Sequence, residues 1–173
     1  MKLPAFVMRA LRRRLLSLPI RRDPDFVIGG VNDRYLRRWW VIPRNPVFNV
    51  YLHEFCRDDD DRALHDHPWL FNASILLEGD YMEHLPPRRG LGTAKCEWRL
   101  AGHLYLRFGP APHRVQLFRD LDARPIRTWT VFITGPRYRE WGFLCPKGWR
   151  NWRDFCGVTP DGRNDGNVGR GCD

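Results

Sequence analysis

Three histidines carry the strongest chemical signal in the chain. His65 and His67 stand one residue apart in LHDHPWLFNASILLEG, residues 64–79. On a β-strand, residues i and i+2 face the same side, so both imidazoles can converge on one point. Neutral imidazole is the commonest protein ligand for transition metals. The pair is therefore half of a plausible metal site, and His113 in GPAPHRV is the best candidate for the rest.

Other residues near these three have the chemistry to assist them. Asn72, Glu78 and His53 are candidates for a further ligand, or for a group that hydrogen-bonds a ligand. Glu83 or His84 would serve if the strand register differs. His103 is one residue out of phase for the site. Asp58–Asp61 form a run of four carboxylates without the Gly and Glu of a calcium loop, so a solvated turn is expected. One of these acids, Asp60 or Asp61 by preference, could orient a ligating imidazole; Asp66 points away by strand alternation. Arginine recognises carboxylate or phosphate in a bidentate manner. Arg107 and Arg114 are thus candidates for substrate binding, with Tyr105 and Trp129 as pocket walls. Arg127 lies on or beside the same strands. The plainer reading of any one of these arginines is a rim residue paired with an acid, and of the two aromatics, core packing. No residue is assigned a catalytic role.

The elements that must position these groups read mainly as strands. VFNVYLHEF, FNASILLEGDYMEHL, KCEWRLAGHLYLRFG, HRVQLF and RTWTVFITG are short β-rich runs separated by turn signals. Many short strands of this kind predict an all-β sandwich or barrel. Residues 1–22 predict a basic amphipathic helix closed by Pro19, with Phe6, Ala10 and Leu11 on one face. That helix would pack on the domain or lie on an anionic membrane surface. Arg21–Pro46 reads as irregular, with YLRRWW as a short strand or helical turn. Trp39 and Trp40 would cap the core. The aromatic, basic stretch from Gly135 to Phe155 is expected to wrap the barrel, and 157–173 is a Gly/polar tail that reads as disordered. The domain reading is therefore 1–22 helix, 23–156 main domain with core 47–134, and 157–173 tail.

Composition narrows the function classes. The 173 residues suit one domain, and eight Trp with ten Phe supply a core. Net charge is +9, but the arginines are interleaved with acids and aromatics, and no nucleic-acid-binding signature is present. Nucleic-acid binding is not expected. Five cysteines, an odd number with no CxxC pair, argue against a disulfide framework and a zinc ribbon. With no secretion signal read at the start, a cytoplasmic location is the default. No Walker loop, GxGxxG or Ser/His/Asp order appears, so nucleotide hydrolysis and dinucleotide chemistry drop out. The third position of His65-Asp66-His67 is histidine rather than a carboxylate, which also disfavours a 2-oxoglutarate oxygenase.

With these residues in view, the chain resembles the cupin superfamily. The first cupin motif, G-x5-H-x-H-x3,4-E-x6-G, is matched by His65, His67 and Gly79, with Asp59 at the opening Gly and Asn72 at the Glu. The second, G-x5-P-x-G-x2-H-x3-N, is matched by Gly102 and His113, with Phe108, Pro110 and Leu117 at the remaining positions. The resemblance covers about half the chain, residues 47–134. It implies a jelly-roll, double-stranded β-helix barrel with a metal held by His65, His67 and His113. Asn72 departs from the family pattern, because a neutral amide is a poor anionic ligand. Some cupin thiol dioxygenases also use three histidines. The resemblance therefore implies a non-haem Fe²⁺ dioxygenase-type oxidoreductase acting on a small anionic or thiol substrate. Zn²⁺, Mn²⁺ or Ni²⁺ are alternative ions. A non-catalytic metal- or ligand-binding cupin, or a sugar isomerase, are the alternative functions, and a homodimer is a family expectation.

Overall fold

The period-2 pattern across residues 47–134 resolves into antiparallel strands in the structure, a computed structural model that describes residues 1–29, 34–59, 63–87, 95–159 and 169–173. The elements are α1 (Ala5–Leu15), α2 (Leu18–Arg21), β1 (Phe26–Gly29), β2 (Arg34–Trp40), β3 (Asn49–Phe55), β4 (Leu64–His65) and β5 (Phe71–Glu78). They continue with β6 (Tyr81–Leu85), β7 (Lys95–Arg99), β8 (Leu104–Phe108), β9 (Arg114–Leu117) and β10 (Thr128–Thr134). β11 (Gly142–Cys145), β12 (Gly148–Asn151) and α3 (Trp152–Cys156) complete them. Among the described residues, one sheet runs β1-β2-β3-β10-β5-β8, and two smaller ones run β12-β11-β4 and β7-β6-β9. A reciprocal bridge between His65 and His113, with both N–H···O contacts at 2.9 Å, ties β4 to the segment entering β9. The expected all-β barrel with an N-terminal helix is what the chain adopts.

The large sheet has two unlike faces, and register decides which residue meets which. On its outer face, Trp39, Leu52, Leu77 and Val131 pack with Met8 and Leu15 of α1. On its inner face, Arg38 lies opposite His53, and His53 opposite Thr130. Asn72 lies opposite both Thr134 and Arg107. Beside an apolar cluster of Leu76, Tyr81, Val115 and Leu117, this inner face buries many polar groups, His53, Asn72, Arg107, Thr130 and Thr134 among them, which marks that part of the lumen as a candidate site. The two motif glycines that match, Gly79 and Gly102, have φ of 73° and 83°. Both turns demand the left-handed region that glycine enters without cost. A Cβ at Gly79 would also lie 2.6 Å from the Arg127 carbonyl.

Several expectations are corrected. The buried stripe of α1 is Met8, Leu11 and Leu15, whereas Phe6 and Ala10 are exposed. Pro19 does not close the helical segment. It sits in the first turn of α2, where its missing N–H costs nothing. The stretch read as irregular contains the β1–β2 hairpin, which extends the large sheet. Cys145 and Cys172 form a disulfide across 27 residues. The fold brings their Cα atoms to 5.4 Å, a proximity that cysteine spacing alone does not encode. The chain end is accordingly tied down: Gly171 N–H donates to the Phe155 carbonyl. Residues 160–168 of the predicted tail, and Asp60 and Asp61, lie outside the described residues. No described helix is long and apolar enough to cross a membrane.

Candidate metal centre

The pairing of β4 with β11 and the His65–His113 bridge bring three imidazoles to one end of the lumen. Ring centroids are 5.2 Å apart for His65–His67, 4.8 Å for His65–His113 and 5.1 Å for His67–His113. One ligand atom from each lies within 4.8 Å of the others. The Nε2 atoms of His67 and His113 are 2.9 Å apart. Two nitrogens each about 2.1 Å from one ion, at right angles, are separated by about that distance. The Trp69 ring stacks on His67 at 5.5 Å, and Phe132 lies 5.8 Å away, so the cluster has an apolar wall.

Burial governs the protonation of the cluster. It lowers the pKa of His65, and it lowers those of His67 and His113 well below the usual imidazole value. Arg107 adds to the effect at all three, His65 further lowers His67 and His113, and His67 lowers His113. Asp59 acts in the opposite sense on His65. The result is a set of neutral imidazoles, the form that binds metal. Among the described residues, His65 Nδ1 and His113 Nδ1 are both buried without a formed hydrogen bond, and an Asp59 oxygen lies 3.6 Å from the former. Glu83 Oε1 lies 2.6 Å from His113 Nδ1. A carboxylate beside the second nitrogen of a ligating histidine is the usual supporting arrangement in metal sites. The three residues therefore fit a divalent ion.

The neighbours divide into those the fold brings to the cluster and those it does not. Asn72 is fully buried on the inner face; its Oδ1 accepts from Arg107 at 3.3 Å, and its Nδ2 has no partner. Arg107 is buried too, but it is paired with Glu83, so it is not a free guanidinium. Glu83, 0% exposed, also takes Arg99. His53 is buried behind Phe132, whose ring stacks on it at 5.0 Å, and its Nε2 accepts from Arg38 at 2.8 Å. It borders the cluster without joining it. Tyr105 is half-buried; Arg99 lies over its ring at 4.6 Å, and its hydroxyl accepts from Leu100 N–H.

Four candidates sit elsewhere. Glu78 is exposed at the end of β5. Trp129 faces outward and packs on Trp39 at 5.6 Å, because odd-numbered positions of β10 line the helix side of the sheet. Arg114 alternates with the buried Val115 and so leaves the lumen. Arg127 pairs with Glu54. Asp66, as its alternation predicts, points away: it accepts from Gly142 N–H, Arg139 and Trp149, anchoring the C-terminal layer.

One participant was missed, and another was read as one of the acidic run but passed over for Asp60 or Asp61. Asp59, at the position where the motif opens with glycine, accepts from Val115 N–H at 2.7 Å and from the Tyr35 hydroxyl. Arg38 is half-buried on the inner face with its ring contacts on Tyr51, and it makes no ion pair among the described residues. An arginine alternating into the lumen from YLRRWW was a visible signal, but only after that stretch is placed in the sheet.

No protein-family model and no curated protein sequence matches the chain. Solved structures do. The DMSP lyase DddQ from Ruegeria pomeroyi DSS-3 superposes with a TM-score of 0.52 at 10% identity, covering 78% of this chain and 66% of that one. An uncharacterized conserved protein with a double-stranded β-helix domain from Klebsiella pneumoniae gives 0.45 at 15% identity, covering 69% and 90%. Fe(II)-HppE with an alternative substrate gives 0.45 at 16% identity, covering 66% and 58%. The chain thus spans just under two thirds of the first of these and over half of the third. The chain has a double-stranded β-helix barrel fold.

Proposed function

We propose that this cupin barrel is a metal-dependent enzyme in which His65, His67 and His113 hold a divalent ion, Fe²⁺ foremost, for a dioxygenase-type oxidation of a small anionic or thiol substrate. The observation that carries the reading is the histidine cluster, half-buried at His65 and His67 and buried at His113, with imidazole pKa values lowered by burial and no carboxylate among its ligand atoms. An ion held by three neutral ligands keeps open positions, and Fe²⁺ there would supply one-electron and O₂ chemistry.

The chain's own residues would bind and orient the substrate. Asn72 Nδ2, Thr130 Oγ1 and Thr134 Oγ1 are buried without partners on the inner face. A buried polar atom left unpaired costs about 1–3 kcal/mol, a cost a bound molecule would relieve. Arg38, without an acid partner among the described residues, is suited to a carboxylate, while His53 accepts its Nε–H and fixes its direction. Trp69 and Phe132 would exclude water from the same space. DddQ is described as a lyase acting on DMSP and HppE as an iron protein binding a substrate; this reading shares with them a small-molecule substrate.

The test is anaerobic loading with Fe²⁺, followed by O₂-uptake measurements over a panel of small carboxylates and thiols, beside Arg38→Gln. Uptake with one class, with KM raised about tenfold or more in Arg38→Gln, is expected. Tight metal binding without uptake for any substrate would overturn the oxidase reading and leave a binding or isomerising barrel.

A further inference from the structure

The outer face of the β7-β6-β9 sheet carries a second reactive cluster that the lumen does not use. His84 lies opposite Cys96 on β7 and Arg114 on β9. Glu83, the neighbour of His84, faces inward, so this face is separated from the metal cluster by the sheet itself. The Cys96 thiol is exposed and lies 3.3 Å from His84 Nδ1. His84 Nε2 lies 2.7 Å from Gln116 Oε1. A carbonyl oxygen there requires Nε2 to carry the proton. Nδ1 is then the free acceptor for the thiol proton. A nucleophile, a base and a group orienting the base are thus in line.

Two further features give the cluster something to bind. Trp98 follows Cys96 on the same face, 64% exposed, and its ring meets Phe118 at 5.3 Å, forming an apolar shelf. Arg114 lies on the other side of His84 from the thiol, on the same face of the sheet, and makes no ion pair among the described residues. A small molecule with a carboxylate and a short apolar or thioether stem matches this combination. The other thiols outside the disulfide differ: Cys56 and Cys156 are half-buried, and burial pushes the Cys56 thiol up, away from reactivity.

We propose that Cys96, with His84 as base and Arg114 as anion contact, is a site of mixed-disulfide modification by carboxylate-bearing low-molecular-weight disulfides such as oxidised glutathione. His84 Nδ1 takes the thiol proton, and the Cys96 sulfur attacks one sulfur of the disulfide. The S–S bond of the reagent breaks, and one half stays on Cys96. The other leaves as a thiolate that collects the proton from His84. The disulfide is the oxidant, and its two electrons leave with the departing thiolate.

The full chain is incubated with oxidised glutathione, and adducts are followed by intact mass and peptide mapping. Cys96 is expected to react at least about tenfold faster than Cys56 or Cys156, with His84→Ala and Gln116→Leu each slowing it, the former about tenfold or more. Arg114→Ala is expected to slow reaction with oxidised glutathione but not with the uncharged hydroxyethyl disulfide. Equal rates at the three thiols, or an unchanged Cys96 rate in both His84→Ala and Gln116→Leu, would overturn the proposal. The outcome is independent of whether the lumen holds a metal.

Discussion

With an amide at position 72, the three imidazoles bring no charge of their own to a divalent ion, and the buried anion touching them is Glu83. Its carboxylate lies against His113 Nδ1 and between the guanidinium groups of Arg107 and Arg99. Removing it leaves Arg107 buried without its counter-charge, and breaking a buried pair in this way costs about 3–5 kcal/mol. Glu83→Gln is therefore expected to lower thermal stability and to weaken metal binding by about 10–100-fold, read by chelator competition. Unchanged affinity would show that Glu83 only balances the arginines. The histidines set a pH dependence. The folded-state pKa values of His53, His65, His67 and His113 all lie below the ordinary value, with burial as the first cause. Below about pH 6.5 the unfolded chain therefore binds more protons than the folded one. Stability of the metal-free protein should be level above about pH 7 and fall as pH drops through about 6.5, as melting curves would register. A Tm that rises on acidification would contradict this. The His-x-His pair and His113 were legible because strand alternation and motif spacing are local. Arg107's partner and the Asp59 contact were not, since both depend on which strands face each other.

At the scale of elements, α1 shows how a sequence pattern can name the right helix and the wrong face. Phe6, Ala10 and Leu11 satisfy helical spacing, yet so do Met8, Leu11 and Leu15, and the sheet selects the second set. Trp39, 1% exposed, sits in the same layer. Met8→Ala should cost about 2–5 kcal/mol. Phe6→Ala, at an exposed position, should stay within about 0.5 kcal/mol. Denaturant titration of the two variants distinguishes the faces, and the reverse order would mean that α1 docks otherwise. Strands 47–134 were readable because turn residues punctuate them. The β1–β2 hairpin was obscured by Pro and Gly at its flanks, and by aromatic and basic residues that suit a sheet edge as well as a loop. The Cys145–Cys172 link was illegible because it rests on the return of the chain to α3, a contact between distant segments.

The whole molecule is a barrel with an apolar outer face covered by α1 and a lumen that is apolar at one part and lined by buried polar groups at another, which is an arrangement suited to a site. The cupin resemblance rested on two motifs in register, and the fold agrees with it. The central claim is that this lumen holds a metal through His65, His67 and His113. Its direct test is metal analysis by mass spectrometry of the untagged protein, before and after reconstitution, beside His65→Ala/His67→Ala. The account predicts near one divalent ion per chain, iron under anaerobic loading, absent from the double variant whose β content is unchanged. No retained metal after reconstitution, or equal metal in the folded double variant, would contradict it.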